Sequence, residues 1–359
     1  MLIIVFLISY KLGVYYTNIY IYCMKYSIFS VQDHHPSFNR SIPDLYKQVL
    51  QQGILADQLG YHSFFVAEHH FHEYGAVPNP AVFLSALSQQ THQIKLGPAI
   101  SILTFHNPLT IAENYAMLDV LSNGRLILGL GSGYLKHEFE GYSIQPDEKR
   151  ERFDENLSIL KQALKGQKIN YNGKYNTLSN VGINVLPIQK DVPLYVAILR
   201  SEAAYHVGKQ GHNIICVPYA SVNHFSEIKS LINDFKHGYS ESQSKQQPDC
   251  LFAFHAHVAD TDEMARKNAE EAFNLYVKTR LYAKQQTYDD VMQSGIHLFG
   301  SVETVANKIV ELYHMGIHHL LLLQNFGLLA PEKVELSMRT FIEKVKPLVH
   351  EKLKEEIAF

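Results

Sequence analysis

Ile94-Lys95-Leu96-Gly97-Pro98-Ala99-Ile100-Ser101-Ile102-Leu103, then Asn107-Pro108, then Asn123-Gly124-Arg125-Leu126-Ile127-Leu128-Gly129-Leu130: these segments decide the fold. Residues 94–103 are mostly apolar, as in a strand covered on both faces. Asn107 can accept hydrogen bonds from the first free amides of a helix, and Pro108 suits the first helical position, where no intrahelical N–H is needed. Asn123-Gly124 supplies a stop after residue 121. Residues 125–130 form the next apolar run. Strand, helix and strand in that order make a parallel crossover unit.

The same unit recurs in both directions. Towards the N-terminus lie strands at 25–31 and 62–67 and helices at 43–59 and 80–90. Ser41 with Asp44 opens the first of these helices, and Gly60 closes it. Towards the C-terminus come a helix at 148–165, strands at 194–198, 213–217, 251–258 and 317–323, and helices at 201–209, 223–236, 262–282 and 301–316, with a final helix after 323. Residues 166–191 interrupt the rhythm as an inserted hairpin would, and 283–299 lack a clear period. Eight such strands predict a (β/α)8 TIM barrel with inserted segments, with a doubly wound sheet as the second choice.

Bulk properties narrow the function. The 359 residues are 46% hydrophobic and 19% charged, with a net charge of -3. That balance suits a globular domain with a sizeable core and, without a basic stripe, argues against nucleic-acid binding. Cys23, Cys216 and Cys250 are too far apart for a disulfide framework or a zinc knuckle, which fits a reducing cytoplasm. The 20 histidines show no metal-ligand spacing, so no metal is expected. Residues 1–23 read as an extension before Met24, interrupted by Lys11 and Gly13. The run is too short for a membrane span of about 20 apolar residues, though a weak anchor is the alternative. Residues 24–359 read as one domain.

In a barrel of this kind the chemistry sits after the strand C-termini. Strand two ends in Glu68-His69-His70-Phe71, where an imidazole and a carboxylate suit proton transfer; a polar cap without chemistry is an equal reading. Strand three ends in apolar Ala99-Ile100, and strand four in Gly131-Ser132-Gly133-Tyr134, where glycines allow close backbone approach to a ligand. The full G-x-G-x-x-G pattern is absent, which weakens a dinucleotide fold. Strand five leads through Leu199-Arg200-Ser201 into a helix, an arrangement that can receive a phosphate. Arg150 adds positive charge on the helix after strand four; a solvated helix face explains it as well.

Together these segments resemble the bacterial luciferase-like, flavin-dependent monooxygenases. The similarity runs through Ala67-Glu68-His69-His70-Phe71, Gly75, Asn79-Pro80 and the 94–99 run. It continues through His106-Asn107-Pro108-Leu109, Ala112-Glu113, Leu118-Asp119, Ser122 to Leu126, Gly129 to Tyr134, Glu138-Phe139, and Arg150 to Asp154. The resemblance implies a barrel that takes reduced FMN from a separate flavin reductase and uses O2 to oxidise a small organic, aldehyde-like substrate. It assigns His69 as catalytic acid or base, with Glu68 beside the flavin. It implies a non-prolyl cis peptide at Ala99-Ile100, cofactor contacts from Gly131 to Tyr134 and from Leu199 to Ser201, and Arg150 near the phosphate.

Three positions depart from the pattern. Ser132 stands where many relatives carry a phosphate-binding arginine, and Leu199 where a small polar residue is common; Arg200 is the candidate replacement cation. Gly131 stands where true luciferases have cysteine, which argues against light emission. An F420-dependent hydride-transfer enzyme and a non-catalytic flavin-binding subunit are the alternatives. The resemblance also implies a homodimer, and a mobile lid at 283–299 that includes Lys284, Gln285, Gln286 and Tyr288.

Overall fold

The computed structural model describes residues 24–279 and 285–356. The extension at 1–23 and Lys284 of the expected lid lie outside the described residues. Eight parallel strands carry the architecture: β1 (Lys25–Ser30), β2 (Ser63–Val66), β3 (Lys95–Pro98), β4 (Leu128–Gly131), β5 (Leu194–Ile198), β6 (Asn213–Cys216), β7 (Cys250–Ala259) and β8 (His319–Leu323). Their hydrogen-bonded order is β3-β2-β1-β8-β7-β6-β5-β4. Each strand therefore lies beside its sequence neighbour and the first lies beside the last, which is barrel order and rules out the doubly wound sheet. Ile28 is in register with Phe64, Tyr26 with Leu320, and Leu130 with Val196.

The seam is at β3 and β4. The expected continuous strand over 94–103 is split: Lys95–Pro98 pairs with β2, whereas Ser101–Ile102 pairs with β4. A single parallel bridge, Leu96 to Leu126, also joins the two sides. The break coincides with a cis peptide between Ala99 and Ile100. The hairpin expected within 166–191 is present, as Ile169–Asn172 paired antiparallel with Thr177–Val181. Within the expected lid, residues 285–299 are more regular than their sequence suggested. A helix, Tyr288–Ser294, starts with a reciprocal capping box between Thr287 and Asp290, and strand Leu298–Ser301 extends the sheet beside β7.

The strands hold fully buried runs. Phe64, Phe65, Leu96, Leu128, Leu130, Ile214, Phe252 and Leu320 are all inaccessible to solvent, as expected for parallel strands covered on both faces. The local signals read from the sequence act as hydrogen bonds. Ser41 Oγ accepts from Asp44 N at 3.2 Å at the start of α1 (Ile42–Leu59). After α2 (Pro80–Ser88), Asn107 Oδ1 accepts from Leu109 N at 2.9 Å to open α3 (Pro108–Leu121). Arg125 then uses its planar fork across the α2–β3 connection, donating to the carbonyls of Ser88, Thr91, Ile94 and Ser122. Among the described residues no helix is long and apolar enough to cross a membrane.

The N-terminal mouth of the barrel holds a histidine cluster. His62 and His319 pack edge to face at 4.7 Å, and His319 Nε2 lies 2.7 Å from Ser27 Oγ. Burial first, then the nearby Lys95 and Lys25, holds His62 down at about 4, and burial depresses the inaccessible His319 strongly. Burial also pushes His257 down to about 4 and His297 to about 3. In the unfolded chain each of these imidazoles takes up a proton near 6.5. Their folded values are lower, so their contribution is complete above pH 6.5 and is lost as the pH falls from there towards 4. Urea midpoints are expected to fall steadily between pH 6.5 and 4.5. The double variant His62→Gln/His319→Gln should flatten that slope.

Candidate active site

At the C-terminal end of β2 the chain turns through Ala67, Glu68, His69 and His70, all buried. Glu68 is the hub. Its Oε1 accepts from His70 Nε2 at 2.9 Å and from His106 Nε2 at 2.5 Å. Its Oε2 accepts from Ser101 Oγ at 2.8 Å and from Ile102 N at 3.1 Å. Burial raises the carboxyl, but the bonds from His106 and His70 outweigh it and hold Glu68 at about 2. The ionised group thus ties the end of β2 to the segment just beyond the cis peptide. Tyr142 OH reaches His70 Nδ1 at 3.1 Å and fixes the far side of that ring.

His69 is 7% exposed, and its Nδ1 lies 3.1 Å from Oε1 of Glu138. Glu138 sits on α4 (Lys136–Gly141), is fully buried, and also accepts from His70 N at 3.0 Å. Its Oε2 has no hydrogen-bond partner. A carboxylate at Nδ1 puts the neutral imidazole's proton on that nitrogen and leaves the Nε2 lone pair as the acceptor. The His69 ring lies 4.6 Å from Tyr74 and 6.2 Å from Tyr134. Gly75 makes this packing possible, because a Cβ there would come within 2.7 Å of His69 Cδ2.

Of the expected cofactor residues, the structure brings Ile100 and Gly131 together, with Gly133 close by. A Cβ on Gly131 would lie 2.4 Å from Ile100 Cδ1 and 3.5 Å from Ala197 Cβ, so the ends of β3, β4 and β5 converge there. Gly133 has φ +76 and leans towards Ile102 and Phe105. Ala99 is buried, whereas Ile100, Ser132, Tyr134, Leu199 and Ser201 are half-buried. The phosphate end differs from the sequence reading. Helix α6 follows α5 (Lys149–Leu164) and spans Ala203–Lys209, so it begins two residues later than expected, and Ser201 does not cap it. Arg150 is exposed on α5 and bound to Asp154 at 3.0 Å. Arg200 is exposed and, among the described residues, has no ion-pair partner.

Glu68, His70 and His106 together carry a donor set that could hold a divalent cation. Their present contacts argue for hydrogen bonding instead. Glu68 Oε1 and His106 Nε2 are 2.5 Å apart, closer than two ligands at about 2.0–2.1 Å around a tetrahedral ion would lie. The sequence reading named His69 and Glu68 but gave no role to His106, Glu138, Ser101, Tyr74 or Tyr142. Glu138 lies 69 positions from His69 in the chain. Its only local signal was an acid between the apolar Leu135 and Phe139.

The chain belongs to the luciferase-like monooxygenase family, whose model matches residues 24–319. It is 26% identical to the oxygenase component of a flavin-dependent trigonelline monooxygenase from Acinetobacter baylyi, over 70% of each chain. It is 29% identical to an F420-dependent glucose-6-phosphate dehydrogenase from Amycolatopsis mediterranei, over 47% of this chain and 53% of the other. The crystal structure of the monooxygenase RslO1 from Streptomyces bottropensis superposes with a TM-score of 0.84 at 26% identity, covering 90% of this chain and 99% of that one. The family support extends to an oxidoreductase on a luciferase-like barrel, with relatives that use flavin and relatives that use F420.

Proposed function

We propose that this chain is the oxygenase of a two-component flavin monooxygenase, taking reduced FMN from a separate reductase and using O2 to oxidise a small organic molecule. The observation that carries the reading is the buried His69–Glu138 pair at the end of β2, on the face where the glycine loop and the Ala99–Ile100 peptide converge. The likeness to a flavin-dependent oxygenase component supports both the cofactor and the reductase partner. Reduced FMN, when bound, supplies the electrons that activate oxygen.

The residues of this chain do the rest. Glu138 orients His69 and keeps Nε2 free to take or return a proton. Glu68 holds the segment after the cis peptide in place through Ser101 and Ile102. Gly131, Ser132, Gly133 and Tyr134 would form the cradle with Ala99 and Ile100, and Leu199, Arg200, Ser201 and Arg150 would supply the phosphate end. Tyr74, paired with Tyr276 OH to OH at 3.3 Å, continues an aromatic wall towards Phe326. That wall excludes water and favours an apolar substrate such as an aldehyde or alkene.

F420 is the second reading, motivated by the F420-dependent relative. Anaerobic fluorescence titrations with reduced FMN and with reduced F420 separate the two. Tight binding of FMN that weakens about 10- to 150-fold in Arg200→Ala is expected, since one charge-assisted phosphate bond contributes about 1.5–3 kcal/mol. Binding of F420 alone would reverse the choice. We further place the protein in the cytoplasm as a homodimer of a single-domain chain. The thiols of Cys216 and Cys250 are free and buried, and α2 and α3 expose Val82, Met117, Val120 and Leu121 as an apolar face.

A further inference from the structure

Helix Val302–Met315 carries a half-buried lysine whose hydrogen bonding favours its uncharged form. Lys308 Nζ lies 3.1 Å from Nε2 of His297, and His297 is 4% exposed. On the other side of that ring, Nδ1 accepts the backbone N–H of Phe299 at 3.0 Å. A neutral imidazole has one N–H and one lone pair. Phe299 takes the lone pair, so the proton of His297 is on Nε2 and points at Lys308. An ammonium has three donors and no acceptor, so it would set N–H against N–H. An imidazolium would bury a second cation beside the first. Only an uncharged amine, accepting from Nε2–H, satisfies both sides of the ring.

We propose that Lys308 presents an uncharged, nucleophilic amine near neutral pH and is a site of N-acylation by activated acyl groups such as acyl phosphates. The surroundings favour both the amine and its product. Gly295 leaves the approach without a side chain, and the Phe225 ring 5.5 Å from Nζ is an apolar neighbour whose cation–π attraction for the ammonium opposes the amine only weakly at that distance. Burial pushes Lys308 down to about 8, against the opposing pull of Glu311; Asp262 acts on His297, where burial and Lys308 prevail. At pH 7.5 about a quarter of such an amine is unprotonated, against about one in a thousand for an ordinary lysine.

In the reaction the Nζ lone pair leaves His297 and attacks the acyl carbonyl carbon. A C–N bond forms and the C–O bond to phosphate breaks (C–S for a thioester). Phosphate or thiolate departs with the electron pair, and one amine proton goes to solvent. No redox change occurs. The product is a neutral amide, whose carbonyl oxygen can accept from the Nε2–H of His297. None of the residues given a role in the proposed oxygenase takes part, so this site stands or falls separately.

The test is competitive acetylation of the full-length protein with acetyl phosphate, and in a parallel arm with acetyl-coenzyme A, read by peptide mass spectrometry across pH. Lys308 is expected to react at least about tenfold faster than exposed Lys136 at pH 7.5, with its rate half-maximal near pH 8 and levelling off above about pH 9. Reaction in both arms assigns the shared acyl chemistry; reaction in one arm names the donor. Lys308→Gln, whose side-chain carbonyl can accept from the Nε2–H of His297, should remove the modified peptide while leaving the fold intact. Nitrogen NMR of His297 gives an independent reading and should show the Nε2–H tautomer. Overturning results are a Lys308 no faster than Lys136 in either arm, a rate still climbing above about pH 10, or a His297 protonated on Nδ1.

Discussion

Alanine at position 69 is expected to lower oxygen-dependent turnover by about 10²–10⁴-fold, the range spanned by a positioned general acid or base. Reduced-FMN affinity should change by less than about threefold, because the cradle at Ala99–Ile100 and Gly131–Tyr134 is built from other segments. Glu138→Gln tests the same pair more finely. An amide can offer N–H where the carboxylate accepts from Nδ1, which would turn the His69 proton to the wrong nitrogen. Turnover should fall while KM stays close to its starting value, and the pH–rate profile should shift. Glu138→Asp should recover part of the loss. A kcat unchanged in both His69→Ala and Glu138→Gln would remove the pair from the chemistry.

The second large effect is on stability. Glu68→Ala removes the acceptor of four hydrogen bonds, leaving His70, His106, Ser101 and Ile102 N without it in a buried site. Removing one member of a buried charged network costs about 3–5 kcal/mol. That is a large part of the roughly 5–15 kcal/mol that holds a domain folded. Denaturant midpoints should fall accordingly, and much of the variant should fail to accumulate. The pH dependence has a definite sign. Glu68 is held at about 2 in the folded protein and titrates near 4.5 when unfolded, so its contribution is full above pH 4.5 and drains away towards pH 2. Glu68→Gln should lose that acid limb, and an unchanged acid transition would contradict the hub role.

The barrel was legible because its signals are local. Asn107-Pro108, Ser41 with Asp44, and Gly60 are helix boundaries that act within a few residues. The eight apolar runs set the strands for the same reason. The site was half legible. His69 and Glu68 stand at the C-terminal end of a barrel strand, the face on which barrels of this kind carry their sites. Their partners come from elsewhere: Glu138 from α4, His106 from the loop after the broken third strand, Tyr142 from beyond α4. Only folding brings these together, so no spacing rule could find them. The late start of α6 has a different cause. Ser201 looks like a cap, but the chain makes a further turn through Arg200 and Ser201 before Ala203. The regular segment Tyr288–Ser294 was missed because a seven-residue helix is too short to display a hydrophobic period.

The most direct test of the oxygenase reading follows the oxygen atom. The protein would be supplied with reduced FMN by a flavin reductase under ¹⁸O₂ and offered a panel of aldehydes, alkenes and sulfonates, with products read by mass spectrometry. A product carrying one ¹⁸O atom is expected, formed with reduced FMN and lost in His69→Ala. Substrate turnover with reduced F420, with no ¹⁸O in any product and no response to reduced FMN, would contradict it.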